Sequence, residues 1–161
     1  MSGKYVFMPI VAMLSMAFIF STASAESTIK FSKAETVYVP VYSHIYSGNK
    51  EHPFLLTTTI SIRNTDMSNT ITILAVDYYD SSGKFLKKYQ VASVDLNALG
   101  SIRYVVKESD TTGGSGAKFI VKWKSAQAVS PPIIESIMIG TQTQQGISFT
   151  SRGQVIKEGV D

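Results

Sequence analysis

The chain has 161 residues, no cysteine, and 15 basic against 12 acidic residues, which gives a formal net charge of +3. The lack of cysteine excludes disulfides, lipid attachment to an N-terminal cysteine and zinc sites with thiolate ligands. The basic residues are spread along the chain, whereas nucleic-acid binding needs a dense basic patch, so we expect no nucleic-acid partner.

The first 25 residues have the organisation of a secretory signal peptide. Lys4 supplies a positive start, residues 6–20 form an apolar run, and Ala23-Ser24-Ala25 is a cleavage site with small residues at its first and third positions. The run is shorter than the roughly 20 apolar residues of a membrane-spanning helix. We predict cleavage after Ala25, export to the periplasm or the cell exterior, and no stable membrane span afterwards. An uncleaved membrane anchor is the alternative.

The remaining chain, residues 26–161, has the size of one domain, and we expect its core over about 35–156. Thr36–Tyr42 alternates apolar and polar residues, with Val37, Val39 and Val41 on one face. Its Pro40 lacks a backbone N–H, which predicts a strand at a sheet edge. The next strand, at residues 54–63, is predicted to turn four side chains inward: Leu56, Thr58, Ile60 and Ile62.

A hairpin is predicted in the middle of the chain. Thr70–Tyr79 is apolar on both faces, so we expect a central strand that is covered on both sides. Asp80-Ser81-Ser82-Gly83 predicts a tight turn with Gly83 at positive φ, and Lys84–Tyr89 follows as the next strand.

The second half of the chain has the clearest alternation. Ser101–Lys107 is one such segment, and Ala117–Lys124 is another that is predicted to bury Phe119, Val121 and Trp123. Residues 133–139 are predicted as a last core strand, and residues 140–156 as an extra edge strand or a segment wrapping across one sheet. About seven short strands separated by turns predict an all-β fold, an immunoglobulin-like antiparallel β-sandwich.

Several long strings of the chain resemble the bacterial domain-of-unknown-function family 3124. They are TVYVPVYSHIYSG (36–48), SIRNTD (61–66), DYYDSSGK (77–84), RYVVKESDTTGGSGAKFIVKW (103–123) and IGTQTQQGISFTSRGQVI (139–156). The resemblance implies a bacterial, exported, stand-alone protein. It implies no activity, cofactor or functional residue, because none is established for the family.

The loops at one end of the predicted sandwich form a candidate binding pole. Connections between successive antiparallel strands alternate between two ends, so the loops after the first, third, fifth and seventh strands share one end. Binding residues are frequent on loops that a rigid scaffold holds. The candidate binding residues are Ser43, His44, Tyr46, Glu108, Asp110, Ser115, Gln142, Gln144 and Arg152.

Each chemistry offered by this pole has an ordinary structural explanation beside it. The glycine-rich segment at 108–117 could bind an anion through backbone N–H groups or simply connect two strands; it lacks the ending of a nucleotide-binding loop. Ser115, His44 and Asp110 could form a triad, but the sequence offers no strand-to-helix turn for a serine nucleophile. His44 and His52 match no standard metal-ligand spacing.

These observations predict a non-enzymatic recognition or interaction module with no cofactor. An envelope protein or a glycan is the expected partner, the glycan because the rings of Tyr38, Tyr42 and Tyr46 could line one exposed stripe. The alternative is a small-ligand, glycan or metal-ion binding protein that uses the loops of the pole. A hydrolase is the third possibility.

Overall fold

The computed structural model describes residues 30–141 and 146–160, and this part of the chain is built from β-strands without a helix. The predicted signal peptide lies outside these residues and stays a prediction. The strands, in chain order, are β1 Ser32–Pro40, β2 His44–Ser47, β3 His52–Leu55, β4 Thr57–Arg63, β5 Ile71–Tyr79, β6 Phe85–Lys88, β7 Val94–Leu96, β8 Ser101–Val106, β9 Lys118–Val129, β10 Ile133–Gly140, β11 Ile147–Arg152 and β12 Gln154–Glu158.

Two antiparallel sheets form a sandwich, which confirms the predicted all-β class. The six-stranded sheet has the order β12-β1-β9-β5-β6, with β7 also beside β5, and the four-stranded sheet has the order β11-β10-β4-β8. Strands β2 and β3 form a separate hairpin. The immunoglobulin-like detail of the prediction stays a prediction.

The core between the sheets follows the alternation that the sequence predicts. Phe119, Val121 and Trp123 on β9 are fully buried, and Ile60 and Ile62 meet them from β4 in the same cluster. Strand β9 lies between β1 and β5, so its inward side chains have neighbours on both sides. The predicted turn after β5 is also present, with Gly83 at φ 86°.

The prediction that β5 is covered on both faces is wrong, and a β-bulge is the reason. Ile73 pairs with Trp123 while Ala75 pairs with Lys122, so Leu74 is an extra residue on β5. The bulge reverses the inward and outward faces. The same core therefore takes Ile71 and Ile73 from before the bulge and Val76 and Tyr78 from after it, although the two pairs have opposite parity in the sequence.

The prediction that β1 is an edge strand is also wrong. Strand β1 pairs with β9 on one side and with β12 on the other. The β12 ladder ends where Tyr38 pairs with Gln154, two positions before Pro40. Because Pro40 lies beyond this ladder, its missing N–H removes no hydrogen bond to β12.

The end of the chain closes one side of the sandwich by crossing from one sheet to the other. Strand β11 pairs with β10, and β12 pairs with β1 in the opposite sheet. Gly153 makes the crossing, and its backbone N–H donates a hydrogen bond of 2.8 Å to the Ile134 carbonyl. Among the described residues, no strand crosses in this way on the opposite side, between β6 and β8.

Glu35 is a buried carboxylate on β1, the strand that pairs with β12, and its burial makes the stability of the protein depend on pH. Burial raises the pKa of Glu35 above its ordinary value of 4.5, the Ser32 hydroxyl partly offsets this effect, and the charge of Glu158 adds to it. Glu158 pairs directly with Glu35 across the ladder and also forms an ion pair with Lys30. The folded chain thus holds the Glu35 proton more tightly than the unfolded chain does.

We expect Glu35→Gln to stabilise the protein at neutral pH and to change stability little at about pH 4. A raised folded pKa means that stability falls as pH rises from 4.5 through the folded pKa, because a buried charge must form. Urea denaturation of both proteins across this range measures the difference. The control is Glu51→Gln in the exposed β2–β3 turn. An equal effect of Glu35→Gln at both pH values would contradict the prediction.

Candidate functional site

Three predicted pole loops meet at one end of the sandwich. The Ser43 backbone N–H donates to the Gly114 carbonyl at 3.1 Å, and its hydroxyl donates to the same oxygen at 3.1 Å. The Ser81 backbone N–H donates to the Gly113 carbonyl at 2.9 Å, and the Gly116 N–H donates to the Ser81 hydroxyl at 2.9 Å. The glycine-rich loop connects β8 to β9, as predicted, and it also holds the loops after β1 and β5 together, which the sequence did not predict.

Position 113, at the centre of this contact, is a glycine because the Tyr78 side chain lies very close to its backbone. A Cβ at position 113 would lie 1.9 Å from the hydroxyl oxygen of Tyr78 and 2.8 Å from the Cβ of Ala117. Only glycine leaves room for the Tyr78 ring to extend beneath the loop. The loop thus covers the tip of a core tyrosine.

A cleft of about 650 Å³ opens beside this loop, on the side of the sandwich that β12 does not close. One wall comes from β5, β6 and the residue after β6, the other from the end of β8, and the loop after β8 forms the rim. Its lining residues are Tyr78, Leu86, Lys87, Tyr89, Val105, Lys107, Ser109, Asp110, Thr111 and Thr112.

Aromatic rings form the floor of the cleft. Tyr78 stacks on Phe119 with ring centroids 4.8 Å apart, and Tyr89 meets Tyr78 edge-on at 6.0 Å and Phe119 at 5.1 Å. Tyr104 packs against Tyr89 from the opposite sheet at 6.2 Å. These contacts join the floor to the main core, so its shape is set by core packing.

The Tyr78 hydroxyl is buried and has no hydrogen-bond partner among the described residues. Burial is the main reason that the pKa of Tyr78 is raised, and the nearby charge of Asp110 raises it further. The pKa of Tyr89 is raised by burial and by Asp110 in the same way. Both phenols therefore stay protonated, and the Tyr78 hydroxyl lies beneath the glycine-rich loop at Gly113.

Polar groups line the rim of the cleft. One carboxylate oxygen of Asp110 accepts hydrogen bonds from the backbone N–H of Thr112 at 3.1 Å and from its hydroxyl at 2.5 Å. The Lys87 ammonium lies 4.6 Å from the centroid of the Tyr89 ring. Lys107 lines the facing wall.

The predicted binding residues separate into several places. Asp110 lines the cleft, and Ser43 joins two loops beside it. Glu108 and Ser115 lie in the same loops without lining the cleft, and Gln142 and Gln144 lie outside the described residues.

The prediction that Arg152 belongs to the binding pole is wrong, because the structure places this residue towards the opposite end of the sandwich. Strand β11 begins beside Gly140 at the predicted pole and runs back until Arg152 pairs with Glu135. Arg152 lies there beside Pro131 and Pro132. The prediction assigned it by its position in the chain, without the reversal that β11 introduces.

His44 and Tyr46 form a small cluster on β2 that is separate from the cleft lining. The two histidine ring nitrogens lie 3.1 Å from the Ser43 hydroxyl and 3.2 Å from the Tyr46 hydroxyl. Ser43 is buried, and neither ring nitrogen faces Ser115. The arrangement does not support a Ser115–His44–Asp110 triad.

The metal site and the glycan stripe gain no support from the described residues. Within residues 30–141 and 146–160 there is no cluster of three histidine, aspartate or glutamate side chains that could hold a metal ion. Tyr42, one of the tyrosines of the predicted glycan stripe, packs edge-on against Phe149 of β11 at 5.8 Å. In the same part of the chain, no helix is long and apolar enough to cross a membrane.

Sequence reasoning missed the strand residues of the cleft, because it considered loops alone. The predicted turn at Asp80–Gly83 would by itself place Tyr78 opposite Leu86, because Tyr79 pairs with Phe85. An irregularity between Tyr78 and Tyr79 shifts the register, so that Tyr78 pairs with Lys87, and the sequence does not reveal this shift. The contribution of β8 depends on packing between sheets, which the sequence does not reveal.

Comparison with known proteins shows the family of the chain. No curated protein sequence matches it. A solved structure described as "Crystal Structure of Thermotoga maritima 1070" is similar, with 12% sequence identity and a TM-score of 0.47 over 79% of this chain and 98% of that chain. The family "Protein of unknown function (DUF3124)" matches residues 34–156. The chain therefore belongs to the DUF3124 family, as its strings predicted.

Proposed function

We propose that this protein is an exported, non-enzymatic binding module that takes a small ligand in the cleft between β6 and β8. The observation that carries the proposal is the cleft itself, a space of about 650 Å³ whose aromatic floor is joined to the main core.

The size and lining of the cleft support this function. Small-molecule sites commonly occupy about 300–1,000 Å³ and combine apolar walls with a few convergent polar groups. Here about 650 Å³ is lined by the rings of Tyr78 and Tyr89 and by Leu86 and Val105, with the polar groups on the rim. Core packing holds the aromatic floor, so the site is formed before a ligand arrives.

The chemistry of the rim supports binding rather than catalysis. Asp110 is the carboxylate of the cleft, and its Oδ1 is engaged by Thr112 within a local turn. Thr112 donates both its hydroxyl and its backbone N–H to Asp110, which is the pattern of a local turn, and no histidine is among the lining residues to act as the base of a hydrolase. The signal-peptide pattern of residues 1–25 supports export.

A fragment screen by ligand-observed NMR tests the function. The library should contain neutral, anionic and cationic aromatic fragments, so that the result does not depend on ligand charge. Ser109→Trp places a bulky side chain at the cleft rim. Ser101→Trp is the matched control, because Ser101 is an exposed serine at the far end of β8.

We expect fragments that bind wild type and Ser101→Trp and that lose binding to Ser109→Trp. Thermal melting of both variants verifies that each is folded. A library without binders, or binders unaffected by Ser109→Trp, would overturn the proposal.

A further inference from the structure

We propose that the ligand of this cleft is a small organic anion with a flat, unsaturated body, an inference that rests on the binding function proposed above. Two lysines and an aromatic floor line the same cleft. Each of these features selects for a different part of such a molecule.

The two lysines of the cleft provide positive charge from both walls. Lys87 pairs with Tyr78 in the β5–β6 ladder, so its side chain lies on the core side of the sheet. Lys107 follows β8 on the facing wall. In the described part of the chain the ion pairs join Lys30 to Glu158 and Arg63 to Glu135, so neither cleft lysine is neutralised by a bound carboxylate.

Asp110 offsets only part of this charge. It is the acidic residue of the lining, against two lysines, so the cleft retains one net positive charge. Its Oδ1 already accepts two hydrogen bonds from Thr112. The net charge of the lining therefore favours an anion, bound near the lysines and away from Asp110, over a neutral or cationic molecule of the same shape.

The apolar surface of the cleft specifies the remainder of the ligand. The Tyr89 ring, which meets Tyr78 at 85°, and Leu86 offer apolar surface to a flat body. A carboxylate and a phosphate ester both satisfy this chemistry.

Calorimetric titration with matched probes tests the inference. Indole-3-acetate and phenyl phosphate are the anionic arms, indole-3-acetamide is the neutral isostere, and inorganic phosphate lacks the flat body. The variants are Lys87→Gln and Lys107→Gln. Lys88→Gln is the matched control, because Lys88 is the next residue of β6 and pairs with Asp77 on the outer face.

We expect at least one aromatic anion to bind about tenfold more tightly than the amide or inorganic phosphate, the scale of a charge-assisted hydrogen bond. Each of the two lysine variants should weaken this anion several-fold, and Lys88→Gln should not. Equal affinity for acid and amide, or no effect of the lysine variants, would overturn the anion preference. If neither aromatic anion binds while neutral or cationic fragments bind in the Ser109-sensitive site, the inference fails and the binding function stands.

Discussion

Trp123→Ala is expected to lower the free energy of unfolding by about 3–5 kcal/mol, the range for removing a fully buried tryptophan. Trp123 is 0% exposed on β9, and it pairs with Glu35 of β1 on one side and Ile73 of β5 on the other. Domains of this size have total stabilities of about 5–15 kcal/mol, so the loss is a large part of the whole. The chain has no cysteine, so no disulfide lowers the entropy of the unfolded state. No cross-link therefore compensates for the stability lost when the tryptophan side chain is removed.

Urea denaturation followed by circular dichroism measures this loss, because the variant lacks the single tryptophan of the chain and with it the fluorescence signal. The matched control is Lys124→Ala, at the next residue, whose side chain is exposed. Exposed substitutions of this kind usually change stability by about 0.5 kcal/mol or less. A Trp123→Ala loss no larger than that of the control would show that the β9 face is not the centre of the core.

The sequence predicts the faces of strands well where the alternation is unbroken and no bulge intervenes. The burial of Phe119, Val121 and Trp123 and the turn at Gly83 are confirmed for this reason. The two faces of β5 are predicted wrongly because one extra residue, Leu74, reverses the alternation without any change in composition. A bulge is set by pairing with the neighbouring strand, and pairing is a long-range property.

Long-range pairing also explains the errors at β1 and in the candidate site. Pro40 indicates a missing donor, but it does not reveal that the β12 ladder ends before it. The grouping of loops by their parity in the chain places Ser43 beside the glycine-rich loop, because hairpin connections alternate between ends. The same rule fails for Arg152 because β11 starts at the predicted pole and runs away from it. The cleft itself needs the second sheet, and no local pattern specifies how two sheets face each other.

The crossing at Gly153 gives the second large effect. Gly153→Ala is expected to destabilise the protein by about 1–3 kcal/mol, the cost of forcing an additional carbon into a packed site. The new Cβ would lie 2.7 Å from Cγ1 of Val37 and 2.9 Å from the carbonyl oxygen of Ile134. That oxygen accepts the Gly153 N–H, so relief of the clash lengthens the hydrogen bond that holds the crossing in place.

Hydrogen exchange measured by mass spectrometry locates this effect. Strand β12 contacts the rest of the protein mainly through the β1 ladder, and its side chains are exposed. Loss of the crossing should therefore accelerate exchange in residues 154–158 more than in β9. Gly146→Ala is the control, because a Cβ there meets no atom closer than 3.9 Å. Uniform acceleration across both sheets would mean that the crossing unfolds only with the whole domain, and unchanged exchange would mean that Gly153 has no role in closing this side of the sandwich.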